Sequence, residues 1–321
     1  MKRILSLLLI VVMLTSLLCS CSFLSEKLSF CKVNFYVDGE LYATKDVVIG
    51  QSVPMPKSPT KENMIFIGWC TTTNDKPVMY DFSSRVIGSF DLRALFTLDA
   101  VAVSNMVAQN TIYSTVEVIN KLQHTSGTMV ETLISNGSGV VIDISDGYCY
   151  VLTNAHVVKT EEGYEKQTIT VEDPFGVAYE AQIYKNKYKN YNAYSEDFDL
   201  ALLCFKYSRN HSFVEIDFGE DPKLGDYVIA IGQPNGLQNA VTYGTVAGYY
   251  HVTGDEGSAA SKIKFDSIIH DAYIDHGSSG GALVDANGRL VGINFAGYPT
   301  SGYGCAIPIS QIMEFLNLFV Y

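Results

Sequence analysis

The sequence predicts an all-β protein closed by a C-terminal helix, on three observations. Short apolar runs separated by turn residues recur from residue 30 onward. Two of the turns, Asp38-Gly39 and Asn287-Gly288, are of the type that closes tight hairpins between such runs. Beyond residue 110, no useful helical periodicity interrupts the pattern until Gln311-Ile312-Met313-Glu314-Phe315-Leu316. With 321 residues, 47% hydrophobic and 17% charged, the chain has room for two or three domains and is not disordered. A formal net charge of −12 argues against nucleic acid or anionic lipid as a partner, because phosphate binding needs clustered Lys and Arg.

The chain begins with Lys2-Arg3 and an apolar run from Ile4 to Leu18. This is the core of a signal peptide, slightly short for a membrane-spanning helix. Leu18-Cys19-Ser20-Cys21 resembles a bacterial lipoprotein box, although Cys19 stands where a small residue is usual. The resemblance implies a signal peptide over residues 1–20, a lipid on Cys21, a linker over 21–29, and an exported protein held at the outer face of the cytoplasmic membrane or cell surface. An ordinary cleaved leader and a retained anchor helix are the alternatives, and each also exports the chain. Of seven cysteines, five would remain: Cys31, Cys70, Cys149, Cys204 and Cys305. An odd number leaves at least one thiol unpaired, and Cys149 and Cys204 lie in apolar runs as small hydrophobes. No Cys-x-x-Cys or His-x-x-x-His spacing suggests a metal.

Residues 30–97 form a first module. Val33, Phe35 and Val37 alternate with polar residues up to the Asp38-Gly39 turn, and Leu41 and Ala43 follow it. Pro54, Pro56 and Pro59 punctuate a loop, and Phe66-Ile67-Gly68-Trp69 and Leu92-Arg93-Ala94-Leu95-Phe96 are further strands. Phe35-Tyr36-Val37-Asp38-Gly39, Pro59-Thr60-Lys61-Glu62, Gly68-Trp69 and Tyr80-Asp81-Phe82 resemble, in that order, the internalin-type B repeat, a small β-grasp-like module of bacterial surface proteins. The only tryptophan, Trp69, reads as its core. Residues 98–110 read as a linker with helical character at Ala100 to Met106.

About 210 residues remain over 111–321, enough for two β-barrels. Gly139 to Ile142, Tyr148 to Thr153, Gln167 to Val171, Leu200 to Phe205, Tyr227 to Ile231 and Val241 to Val246 are the apolar runs. The chemistry-bearing string is His276-Gly277-Ser278-Ser279-Gly280-Gly281. By itself it reads equally well as a flexible loop. Two segments upstream change that reading. Tyr150-Val151-Leu152-Thr153-Asn154-Ala155-His156 delivers a histidine at a strand end, and Asp197-Phe198-Asp199-Leu200 places a carboxylate at the mouth of an apolar strand. Burying that carboxylate demands a donor, which an imidazole N–H can supply.

The order His156, Asp199, Ser279 is the one used by chymotrypsin-fold proteases. Gly137-Ser138-Gly139, Thr153-Asn154-Ala155-His156-Val157-Val158, Asp199-Leu200-Ala201-Leu202-Leu203, Ala230-Ile231-Gly232-Gln233-Pro234, Gly277-Ser278-Ser279-Gly280-Gly281-Ala282-Leu283-Val284 and Ala306-Ile307-Pro308 resemble the HtrA/DegP-like branch, over about residues 112 to 318. The resemblance implies a chymotrypsin-like double β-barrel and a serine endopeptidase without a PDZ domain. Ser279 would be the nucleophile, His156 the base, Asp199 its orienting partner, and the N–H groups of Gly277 and Ser279 the oxyanion hole. Asn294, Phe295 and Ala296 would pair with extended substrate backbone, and Ile274 would line a pocket for an aliphatic residue. It implies no metal or organic cofactor, polypeptide substrates, and trimers formed through Thr111 to Leu122. Two departures stand out: Ser278 where Asn or Asp is usual, and a long tyrosine-rich stretch from Lys185 to Glu196. The rival reading is an inert or self-inhibited surface adhesion protein on a protease fold.

Overall fold

The computed structural model describes residues 29–73, 76–208, 213–233, 240–252, 262–297 and 302–320. The leader and Cys21 lie outside the described residues. Contacts divide the chain into two units, the first ending at Asp99 and the second beginning at Ala100.

The first unit is one mixed sheet of five strands, β1 (Phe30–Val37), β2 (Glu40–Val48), β3 (Met64–Thr73), β4 (Lys76–Met79) and β5 (Phe90–Leu98), in the order β2-β1-β5-β3-β4. Asp38 and Gly39 both take positive φ, 50° and 88°, as a two-residue hairpin turn requires. Alternation then buries Cys31, Val33 and Phe35 on one face. Trp69 is 1% exposed and meets Phe35 edge-on at 4.8 Å, so it is the centre of this core and not a stacking platform.

The second unit opens with helix α1 (Ala100–Thr111) where the sequence suggested a linker. Val103 and Val107, one turn apart, are buried, and Ser104 Oγ lies 2.8 Å from the Tyr227 hydroxyl, which itself donates to the Ala100 carbonyl at 2.8 Å. Those contacts dock the helix on the barrel that carries Tyr227. The first barrel takes β6 (Thr115–Ser126), β7 (Met129–Ser145), β8 (Tyr148–Thr153), β9 (Lys166–Glu172) and β10 (Ala178–Ile183). After the small hairpin β11 (Lys185–Asn186) and β12 (Tyr191–Asn192) and the edge strand β13 (Tyr194–Ser195), β14 (Leu200–Lys206) pairs with both β8 and β10 and closes the ring. Its core includes Val116, Val118, Val141, Val151, Leu203 and Phe205.

The second barrel is closed in the order β15-β16-β17-β20-β19-β18, from β15 (Tyr227–Gly232), β16 (Ala240–His251), β17 (Asp266–His270), β18 (Ala282–Asp285), β19 (Leu290–Gly297) and β20 (Gly304–Pro308). Val228, Ala230, Val246, Ile268, Leu283 and Ala306 fill it, each larger aliphatic side chain contributing about 1.5–3 kcal/mol by burial. Helix α2 (Ile309–Phe319) follows, with Ile309, Ile312, Phe315 and Leu316 buried along one stripe. The double barrel with its terminal helix, preceded by a β module, is the architecture the sequence predicts. Cys31, Cys70, Cys149, Cys204 and Cys305 are all free and buried. Burial pushes the thiols of Cys149 and Cys305 up to about 12.

Candidate active site

The turn after β8 carries His156, and the turn before β14 carries Asp199. Because β8 and β14 are hydrogen-bonded neighbours, with Thr153 opposite Ala201, the two turns meet at one end of the first barrel. Asp199 is 2% exposed and held at φ 49°, a left-handed conformation that Asp tolerates better than most side chains. That backbone aims three oxygens at one target. Its carbonyl accepts from the Ala155 N–H at 3.1 Å and from Asn154 Nδ2 at 2.9 Å. Its carboxylate accepts the His156 N–H through Oδ1 at 3.0 Å and lies 2.8 Å from His156 Nδ1 through Oδ2. A carboxylate facing Nδ1 makes that nitrogen the donor and leaves Nε2 as the acceptor.

Ser279 sits in a turn shaped by Gly277 at φ 94° and Gly280 at φ 85°. A side chain at Gly280 is impossible on a second ground, since its Cβ would lie 2.0 Å from the Ser138 carbonyl oxygen and 2.5 Å from Thr153 Oγ1. The second contact is decisive for placement: Thr153 is three residues before His156, so the serine turn is pressed against the strand end that presents the imidazole. Within the turn, the Ser278 N–H donates to Asp275 O at 2.9 Å, Gly280 N–H to Asn294 O at 2.8 Å, and Gly281 N–H to Ser278 O at 2.9 Å. Among the described residues, the N–H groups of Gly277 and Ser279 make no internal hydrogen bond. Two adjacent donors are therefore left for an incoming oxygen. The Ser279 hydroxyl donates to the Phe295 carbonyl at 3.2 Å, and among the described residues no hydrogen bond joins it to His156.

The remaining predicted residues lie around this turn. Ile274 and Asn294 line a small pocket together with Thr242, Tyr273 and Ser278. Asn294 is 1% exposed, and all four of its polar groups are committed inside the barrel. Its N–H donates to Gly281 O at 2.9 Å, its carbonyl accepts from Gly280, Nδ2 donates to Ala282 O at 3.0 Å, and Oδ1 lies 3.1 Å from His270 Nε2. Its backbone is used by the serine turn, not left open on the strand edge. Phe295 is buried and offers its carbonyl to Ser279, and half-buried Ala296 follows at an irregularity in the β19–β20 ladder. Burial pushes the His270 imidazole down to about 4, against smaller opposing contributions from Asn294, the Ala272 backbone and Asp271.

Sequence reading assigned Ser138 no role of its own, yet it is wholly buried and touches the serine turn. The signal available was a lone hydroxyl between two glycines at the head of an apolar strand, where an unpartnered polar group is costly. Among the described residues no group of three His, Cys, Asp or Glu side chains could hold a metal ion.

Residues 137–293 match the family described as trypsin-like peptidase domain. The second unit carries a trypsin-like peptidase domain. This domain is similar to HtrA-type proteases: it is 34% identical over 187 residues to serine protease HTRA2, mitochondrial, of Bos taurus, covering 58% of this chain and 37% of that protein. Against a probable periplasmic serine protease, do/HhoA-like, of Haemophilus influenzae it is 37% identical over 193 residues, 56% of this chain and 37% of the relative. The peptidase match thus spans little more than a third of either relative's length. Among solved structures, the HtrA-type protease AlgW with a decapeptide aligns at a TM-score of 0.52 and 25% identity, covering 67% of both chains. Ahead of the trypsin-like domain, residues 32–94 match the Listeria-Bacteroides repeat domain, the module expected from the Trp69 region.

Proposed function

We propose that this protein is an exported serine endopeptidase, anchored to the membrane through Cys21, that cleaves unfolded or surface polypeptides by way of an acyl-enzyme. The observation that carries the reading is the Asp199–His156 pair standing beside a serine turn with two unengaged N–H donors. His156 Nε2 accepts the Ser279 proton as Oγ attacks a peptide carbonyl, and returns it to the departing amine. Asp199 keeps the imidazole in the required tautomer and stabilises its cation. Gly277 and Ser279 N–H take the charge on the carbonyl oxygen, a contribution on the order of 3 kcal/mol per donor. Rotation of Ser279 about its Cα–Cβ bond, away from the Phe295 carbonyl, precedes attack. The backbone of Phe295-Ala296, once the Ser279 hydroxyl leaves the Phe295 carbonyl, offers main-chain pairing to an extended substrate, and Ile274 suits an aliphatic side chain in the adjoining pocket. Assembly into trimers through Thr111 to Leu122 belongs to the same reading.

The Ser279–Phe295 hydrogen bond favours a second reading, a self-inhibited or inert surface protein on this fold. A fluorophosphonate probe applied to intact cells decides between them, because it labels only a serine that is already activated. The protease reading expects a labelled band in the membrane fraction, casein cleavage by the purified chain, and loss of both in Ser279→Ala; Cys21→Ala should move the band to the medium. A wild-type chain that neither labels nor cleaves casein sinks the protease reading, and a labelled Cys21→Ala band still in the membrane sinks the anchor.

A further inference from the structure

The geometry points to Ser138, a side chain of the first barrel, as the positioning residue that sets the two oxyanion donors carried by the second barrel. This rests on the protease reading above. Ser138 is 0% exposed and lies in β7, remote in sequence from the turn it serves. Its hydroxyl donates to the Gly277 carbonyl at 2.7 Å and accepts the Gln233 N–H at 3.0 Å. Its own N–H donates to the Ser279 carbonyl at 2.7 Å, and its carbonyl accepts from Thr153 Oγ1 at 2.7 Å. One residue thus ties the serine turn to the end of β15 and to the strand that leads to His156.

The consequence follows from peptide planarity. The Ser279 N–H lies in the plane joining residues 278 and 279, whose carbonyl is held by the Gly281 N–H. The plane before it ends in the Gly277 carbonyl, held by the Ser138 hydroxyl, and the plane after it ends in the Ser279 carbonyl, held by the Ser138 N–H. The Gly281 bond resists a flip of this middle plane about its Cα–Cα axis, and the two Ser138 bonds hold the planes at either end of that axis and so set its direction. The Gly277 N–H is restrained on one side by the same hydroxyl. Gly277 and Gly280 are both at positive φ, in residues with no side chain to resist rotation, so an external restraint is needed to keep the donors convergent. Removing the hydroxyl also strands the Gly277 carbonyl and the Gln233 N–H without their partner.

The test measures kcat and KM on fluorogenic casein and the rate of fluorophosphonate labelling in the full chain, for wild type, Ser138→Ala and Ser138→Cys. Deleting one oxyanion donor costs roughly 10²–10³ in kcat, so loosening the pair should cost Ser138→Ala roughly ten- to a hundredfold in kcat and in labelling rate, with KM within about twofold. Ser138→Cys, nearly the same size and a weak donor, should fall between. If Ser138→Ala does not fold, the cysteine variant carries the test alone. Wild-type kcat and labelling in either folded variant overturns the proposal, as does a rise in KM at constant kcat. A wild-type chain that fails to label removes the protease reading instead, which keeps the two failures apart.

Discussion

His270 is a buried titratable residue whose placement makes stability depend on pH. Its Nε2 faces Asn294 Oδ1, its Nδ1 has no hydrogen-bond partner, and a Cβ at Gly304 would lie 2.3 Å from its ring. The ring is therefore neutral, with the proton on Nε2, and a second proton would place an unpaired charge inside the barrel. Asp271 is the charged group that opposes this effect, and it is outweighed by burial. The folded value of about 4 lies below the open-chain 6.5, so the unfolded state binds more protons between them. Stability from this residue is complete above pH 6.5 and is lost as pH falls through that window, by about 3 kcal/mol in all. Melting temperature followed from pH 7 to pH 4.5 should fall steeply in the wild type and less steeply in His270→Gln; parallel curves would contradict the assignment. In the sequence this histidine carries no function, and its burial reads only from the neighbouring Ile268-Ile269. Its link to the serine turn is not readable there, because Asn294 mediates it across two strand pairings.

Among the elements, the tyrosine-rich segment between β10 and β14 has an unexpected partner. Asn186 Nδ2 donates to the Val320 carbonyl at 2.9 Å and to Phe319 O at 3.3 Å, Lys189 Nζ to Leu318 O at 2.9 Å, and the Tyr191 hydroxyl to Leu318 O at 2.5 Å. These are the last carbonyls of α2, which lack partners within the helix, and Lys189 also opposes the negative end of its dipole. The β11–β12 hairpin is a C-terminal cap supplied from the other end of the domain. Phe198 continues the contact, packing edge-on against Phe315 with ring centres 6.0 Å apart. Asn186→Ala should lower stability by about 1–3 kcal/mol, since Asn186 is buried and also accepts the N–H groups of Tyr188 and Lys189. Chemical denaturation with an unchanged midpoint would contradict that. The strands were legible because their signals are local, alternation in Val33, Phe35 and Val37 and an unbroken apolar run in Leu200 to Phe205. The cap was not, because it joins residues more than a hundred positions apart through side chain to backbone bonds that demand no particular pattern.

At the scale of the whole molecule, the two units have separate cores, and the chain's only tryptophan lies in the first. Trp69 fluorescence therefore reports the module alone, whereas far-ultraviolet circular dichroism is weighted towards the larger double barrel. Thermal unfolding should give non-coincident midpoints by the two probes; superimposed curves would mean that the units melt as one. The lapse of strand character after residue 98 marks a boundary in the sequence, and contacts divide the chain at Asp99. The grouping of His156, Asp199 and Ser279 comes from the resemblance of the motifs around them, since spacing alone does not bring them together. The docking of α1 was not, since Val103 and Val107 acquire their meaning only from Tyr227 and its strand.

Five sulfurs of the described chain are buried, none bonded to another. The described chain carries no disulfide, so the export proposed above would leave its covalent wiring unchanged. Crossing from a reducing to an oxidising compartment asks for no oxidase or isomerase on arrival, and the finished fold tolerates either redox environment without being rewired.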